Sequence, residues 1–281
     1  MDIEVLGALA VREHGIPVTP SARKPRQVLA LLALHADQVV PVDLLIEELW
    51  EDSPPRSART TLQTYILQLR ELITAALKSV ADGTETRTAK DVVVTAPGGY
   101  LLKASPGTSD VREFDRLAGM GYRALDAEDF RGASRALGEA LALWNGSALA
   151  GIQAGPQLAM EVRRLEESRL CAVHQRIEAD LRLGRHREVL GELTVLASRY
   201  RTHENLHGQL MLALHRSGRR GEALDVYQRL RQSLVRDLGL EPSAGLRRLQ
   251  RSILMTGPEV ALDAPAQAPA PTTADRMVRT G

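Results

Sequence analysis

Cysteine is nearly absent: Cys171 is the only one in 281 residues. An intrachain disulfide and a cysteine-ligated zinc site are excluded, and the thiol is expected to be a small buried hydrophobe in a reducing compartment. Aromatic residues make up 3% of the chain, too few for the stacking platforms that hold single-stranded nucleic acid. No segment approaches the ~18 consecutive apolar residues of a membrane span. The opening Met1-Asp2-Ile3-Glu4 has neither the basic nor the apolar region of a signal peptide, so a cytoplasmic protein with no membrane partner is expected. An excess of either charge is missing too. With 36 Lys+Arg and 35 Asp+Glu the net charge is +1, which rules out a polybasic coat but permits a local basic patch.

Catalytic signatures are lacking as well. The patterns G-x-x-x-x-G-K-[ST], G-x-G-x-x-G, H-E-x-x-H and G-x-S-x-G do not occur, so no enzymatic activity, cofactor or metal is expected. His203 and His207 stand four apart with Glu204 between them. Without a third ligand nearby they read as solvent or interface histidines. Cys171 and His174 lie one helical turn apart, but no third group completes a nucleophilic site, and core packing is the simpler reading.

What is present falls into two patterns. The chain length suits two domains, and the character changes near residue 105, at Ala104-Ser105-Pro106-Gly107-Thr108-Ser109, a Pro/Gly/Ser junction. Before it, Ile3–Val11 is a strand candidate that His14-Gly15 turns back toward Ile16-Pro17-Val18. Pro25 opens a helix carrying Val28, Leu29, Leu31, Leu32 and Leu34, buried over much of its circumference. Val42, Leu45, Ile46, Leu49 and Trp50 form the apolar stripe of a second helix, and Asp43, Glu47, Glu48, Glu51 and Asp52 its solvated face. A third helix starts around Ser57, with Leu62, Tyr65, Ile66, Leu69, Leu72, Ile73 and Ala76 as its core face. Val92 to Leu102, with Pro97-Gly98-Gly99 at the tip, reads as a β-hairpin. Strands, three helices and a closing hairpin are the element order of an OmpR-type winged helix-turn-helix.

The second part is helical and repeats itself. Gly184-Arg185 with Glu188 and Leu190 recurs as Gly218-Arg219 with Glu222 and Leu224, an offset of 34 residues and the period of a tetratricopeptide repeat. Ala127 to Ala133 is a degenerate third copy that lacks the glycine. Glu241-Pro242-Ser243 begins a last short helix. The Pro/Ala-rich residues 257–281 are expected to be a disordered tail or linker.

The third helix carries the strongest chemical signal. With Leu62 at the centre of the buried side, Arg56, Arg59, Gln63 and Arg70 fall along one flank, and Thr60, Thr64, Leu67 and Gln68 lie on or near the exposed side. Arg can bond guanine in a bidentate fork, Gln can read adenine and Thr can meet a thymine methyl or a phosphate. Arg23, Lys24 and Arg26 bracket Pro25 at the start of the first helix, where cations are unfavourable to the helix dipole unless an anion such as DNA phosphate is bound there. Residues 1–104 carry 11 Lys+Arg and 13 Asp+Glu, so this half is slightly acidic, and binding to DNA through it would be expected to neutralise few phosphates.

These segments resemble the Streptomyces antibiotic regulatory protein family. The resemblance rests on Ile3-Glu4-Val5-Leu6-Gly7, on Arg23 to Leu34, Val42 to Trp50, Thr61 to Arg70 and Pro97 to Leu102. In the second half it rests on Phe114-Asp115, Ala140 to Trp144, Arg216 to Arg219 and Asp237 to Ser243. It implies an OmpR-type DNA-binding domain at 1–104, a tetratricopeptide-like bacterial transcriptional activation domain at 110–255 and a tail from 257. It further implies an activator of secondary-metabolite genes that binds direct repeats near the promoter −35 element as a homodimer or tandem protomers. Its implied partners are double-stranded DNA and RNA polymerase holoenzyme, including the sigma subunit. DNA contacts are expected from Arg23, Lys24, Arg26, Arg56, Arg59, Thr60, Gln63, Thr64, Arg70 and the hairpin tip Gly98 and Gly99. Two departures are visible: the tip lacks the arginine often found there, and Leu67 and Gln68 replace the more usual small and basic residues. A helical-repeat interaction scaffold whose N-terminal domain does not bind DNA is the alternative.

Overall fold

The computed structural model describes residues 1–80, 87–104 and 109–255. The expected tail at 257–281 lies outside the described residues, as do positions 105–108 of the junction. Strands β1 (Asp2–Glu4), β2 (Ala10–Glu13) and β3 (Ile16–Pro17) form an antiparallel sheet in that order. The turn between β2 and β3 is the expected two-residue one, with positive φ at both His14 (52°) and Gly15 (79°), as a right-twisted hairpin requires. The run from Ile3 to Val11 is not one strand. It leaves the ladder after Glu4 because residues 5–7 have other partners. The amides of Val5 and Leu6 donate to Asp110 Oδ2 at 2.7 and 2.8 Å. The carbonyls of Leu6, Val5 and Gly7 accept from the amides of Asn145, Leu149 and Ala150.

Helix α1 (Arg23–Leu34) begins two residues before Pro25, which therefore lies inside the first turn. Its missing N–H has no intrahelical acceptor there in any case. Val28 to Ala33 are all buried. After β4 (Val40–Pro41) come α2 (Val42–Trp50) and α3 (Ala58–Val80). A one-turn helix α4 (Ala89–Val92) follows, held by a reciprocal capping box between Thr88 and Asp91. Strands β5 (Val93–Ala96) and β6 (Gly99–Leu102) make the expected hairpin, and β4 adds to it in the order β4-β6-β5. Leu29, Leu32, Leu45, Leu62, Ile66, Leu69, Ile73, Val92, Val93 and Leu102 share one core. Leu72, expected in that core, is 38% exposed. The buried row runs through Leu69, Ile73 and Ala76, and residue 72 sits at its edge, about 60° round the helix from Leu69 and about 100° from Ile73.

The remainder is helical: α5 (Asp110–Asp126), α6 (Phe130–Ala142), α7 (Pro156–Arg182), α8 (Leu190–Arg199), α9 (Glu204–Arg216), α10 (Arg220–Leu238) and α11 (Ala244–Met255). The turns after α5, α7 and α9 are the same turn three times. Each helix is followed by a left-handed residue: Glu128 (φ 57°), Gly184 (80°) and Gly218 (81°). In each, the next amide reaches back five residues: Asp129 to Ala124, Arg185 to Asp180 and Arg219 to Leu214. The degenerate copy thus keeps the geometry and places a glutamate where the others have glycine. In the first of them, Phe114 meets Trp144 edge-on at 5.6 Å.

The chain divides into two compact units, Met1–Leu196 and the part from Ala197 on. The change of composition near residue 105 is therefore not a break between compact units. Asp110 and the loop at 145–150 hold residues 5–7 as described above, and Glu48 of α2 grips the start of α7. Glu48, expected on a solvated face, is 2% exposed. Its Oε1 accepts from the Gly155 amide at 2.6 Å and its Oε2 from the Leu158 amide at 2.9 Å. Gly155, the residue before α7, offers no side-chain cap, and Glu48 supplies the missing acceptors from another helix. A Cβ on Gly155 would lie 2.1 Å from the Glu48 carbonyl oxygen, so only glycine permits this approach.

Two further expectations are corrected. Cys171 is exposed, because the inward row of α7 runs through Leu158, Leu165 and Ala172, one residue out of step. His207 is buried, with Nδ1 3.0 Å from the His203 carbonyl oxygen, and burial lowers its pKa. Among the described residues no three His, Cys, Asp or Glu are grouped to hold a metal, and no helix is long and apolar enough to cross a membrane.

Candidate nucleic-acid interface

Helices α2 and α3 and the turn between them form the helix-turn-helix, and β5–β6 is the wing. Glu51, in the left-handed region (φ 54°), ends α2. Helix α3 is split lengthwise. Ala58, Leu62, Ile66, Leu69, Ile73, Ala76 and Leu77 are buried. Arg59, Thr60, Gln63, Thr64, Leu67, Gln68 and Glu71 are exposed, and Arg56 is exposed in the turn just ahead of it. The structure thus brings Arg56, Arg59, Thr60, Gln63 and Thr64 to one accessible surface. Within α3 no acid precedes Glu71, so the donors and acceptors the helix itself presents suit base edges and phosphates.

Local contacts divide the candidate residues by availability. Arg59 Nη2 donates to Asp43 Oδ1 at 2.9 Å across the turn, with both side chains well exposed. Asp43 is a residue that sequence reasoning placed only on a solvated face. An acid opposite an Arg does announce such a pair, but only once the angle between the two helices is known. Thr64 Oγ1 donates to the Thr60 carbonyl. Arg70 turns away from the stripe: Nε and Nη2 donate to the Val93 carbonyl at 3.0 and 2.7 Å, and Nη2 also to Thr95 Oγ1 at 2.8 Å. It fastens α3 to the wing.

At the start of α1, Arg26 donates to the carbonyls of Pro20 and Ser21 at 2.9 and 3.3 Å. Lys24 Nζ lies 4.4 Å above the Trp50 ring, and partial burial together with the Arg23 charge lowers its pKa. Only Arg23 of the three points freely outward as an exposed side chain. These internal contacts offset the unfavourable placement of cations at a helix N-terminus. At the wing tip Gly98 is exposed with φ 77°, as position three of a Pro-Gly turn demands, and its carbonyl accepts from the Val42 amide. Gly99 is buried. A Cβ there would lie 2.2 Å from the Val40 carbonyl oxygen, so its role is to let β4 and β6 approach.

A recognition helix exposed along one face, preceded by a short helix and flanked by a wing, defines a winged helix-turn-helix transcriptional regulator with an attached helical domain. Residues 18–87 match the family described as transcriptional regulatory protein, C terminal, and residues 109–254 match the bacterial transcriptional activator domain. The chain is 51% identical over 265 residues to the regulatory protein DnrI of Streptomyces peucetius, covering 94% of this chain and 96% of that one. It is 34% identical to the regulatory protein AfsR of Streptomyces coelicolor over 92% of its own length, but spans only 24% of that longer protein. Among solved structures, Mycobacterium tuberculosis EmbR in complex with a low-affinity phosphopeptide superposes with a TM-score of 0.81 at 33% identity, covering 90% of this chain and 64% of that one. The chain belongs to the Streptomyces antibiotic regulatory protein family of DNA-binding transcriptional activators.

Proposed function

We propose that this activator reads direct repeats near the −35 element of antibiotic-biosynthesis promoters and brings RNA polymerase holoenzyme, with its sigma subunit, to them. Two or more protomers sit in tandem on the repeats, in the cytoplasm at the nucleoid. Residues 1–104 serve DNA and residues 110–255 serve the polymerase. The observation that carries this reading is the exposed face of α3, where Arg59, Thr60, Gln63 and Thr64 stand opposite a buried apolar row. Arg59 and Gln63 contact base edges. Arg23, Arg56 and Thr60 contact phosphates, with the exposed wing tip at Gly98 against the flanking backbone. Lys24, Arg26 and Arg70 support this surface through the contacts already described.

Footprinting on the promoters neighbouring the gene, with and without polymerase, tests the reading. Wild type should protect a repeated sequence and extend the protection when polymerase is added. Arg59→Ala and Gln63→Ala should each lose about 1–3 kcal/mol of discrimination between the target and scrambled duplex. Protection of no repeat, or variants that discriminate as wild type does, would overturn it.

A further inference from the structure

We infer that Leu67 is a base-reading residue whose side chain covers the 5-methyl group of a thymine in the major groove. The inference rests on α3 being the recognition helix. Leu67 is 56% exposed. A single exposed leucine is ordinary on a protein surface, so its exposure alone carries nothing; its surroundings do. Every other exposed side chain from Arg59 to Glu71 is polar, and Leu67 sits among Gln63, Thr64, Gln68 and Glu71 on the face turned away from the core. Eight residues separate it from Arg59, about 12 Å along the helix and about 80° around it, so the two lie on the same exposed side. Both can therefore face base edges at once.

The chemistry of the groove floor then narrows the target. An alkyl side chain neither donates nor accepts. Pressed against a cytosine amino group or a guanine carbonyl, it would strip water from that group and return no hydrogen bond. The one alkyl group that the four base pairs display in the major groove is the thymine 5-methyl. Leu67 thus gains only over thymine, and selects against the other three bases by leaving their polar edges unsatisfied. Gln63 and Gln68 beside it can serve any edge that offers a donor or acceptor. Leu67 is the member of the face with a single compatible base.

The test uses the full chain and a duplex enriched by it from a random library. Each thymine of that duplex is replaced in turn by deoxyuridine, which removes the methyl and keeps the hydrogen-bonding edge. Wild type should lose about fourfold in affinity at one thymine per site, the worth of one buried methyl. Leu67→Ala, which favours the helix and should melt as wild type does, should be indifferent to that replacement. Wild-type indifference to every deoxyuridine would overturn the inference, as would the same loss in Leu67→Ala. So would a variant whose only defect is weaker cooperativity on two-site duplexes, because Leu67 would then face a neighbouring protomer. Enrichment of no sequence at all would overturn the DNA-reading function together with it, a result distinct from enrichment without sensitivity to the methyl.

Discussion

At the scale of single residues, a few charges on this protein are turned inward. Glu48 is the clearest case. Burial raises its pKa above the ordinary 4.5, outweighing the hydrogen bonds it receives from the amides of Leu158, Gly155 and Gln157 and from the Gln27 side chain. A carboxyl with a raised folded pKa holds its proton more tightly folded than unfolded. Its contribution to stability is therefore complete below the unfolded pKa and is lost as pH rises through the folded one. Asp110, with its pKa also raised by burial, acts in the same direction, so the Glu48 share must be read by difference. Glu48→Gln removes that titration. In urea unfolding from about pH 4 to pH 7, the stability of wild type relative to the variant should fall as pH rises. A difference that stays flat or grows would mean that the helix start at Gly155 holds the carboxylate charged after all.

At the scale of elements, the three left-handed turns show what a sequence reveals and what it hides. Gly184 and Gly218 were legible at their 34-residue spacing. Glu128 was not, because a glutamate gives no sign that it will take φ 57°. The conformations are equivalent, so the side chains should be separable by stability. At Gly184 and Gly218 a Cβ would meet nothing within 4 Å, so alanine there carries a conformational cost alone. Gly184→Ala and Gly218→Ala should each lower stability by about 1 kcal/mol, and Glu128→Gly should raise it by up to about 1 kcal/mol. Urea titrations would show it, and a Glu128→Gly variant weaker than wild type would refute the equivalence. The helix-turn-helix, the wing and the repeat were readable because their signals are local: apolar spacing, Pro-Gly and His-Gly turns, glycine after a helix. The break in the first strand, the burial of Glu48 and the inward turn of Arg70 were not. Each depends on a partner remote in sequence, Asp110 for Val5, Gly155 for Glu48 and Val93 for Arg70, and amphipathic spacing cannot announce such a partner. The exposed row of α3 was legible as a face, while the commitment of Arg59 to Asp43 was not.

At the scale of the whole molecule, near-neutrality becomes a statement about how DNA is held. Residues 1–104 carry two more acids than bases, and several of the bases around α1 and α3 are engaged within the protein. Arg26 and Arg70 bond backbone carbonyls, Lys24 lies on Trp50, and Arg59 is paired with Asp43. Arg23, Arg56, Lys78, Lys90 and Lys103 remain exposed, and of these Arg23 and Arg56, at the start of α1 and just ahead of α3, are the candidates for direct phosphate contact. Each phosphate neutralised adds about 0.9 to the slope of log K against log salt, so a single site bound by one protomer should show a slope of about −2 to −4. Fluorescence anisotropy between about 50 and 200 mM salt would measure it, and a slope near −8 on a single site would refute the sparse-contact view. Asp43 supplies an internal control. The Asp43–Arg59 bond would make DNA compete with an internal carboxylate for one guanidinium, so non-specific binding should be held down. Asp43→Asn weakens that competitor while leaving a neutral acceptor of similar shape. Affinity for scrambled duplex should then rise and the slope steepen by up to about one, while the gain on the enriched sequence should be smaller. Equal gains on both duplexes would mean that Asp43 merely repels the backbone and has no part in directing Arg59 toward a base.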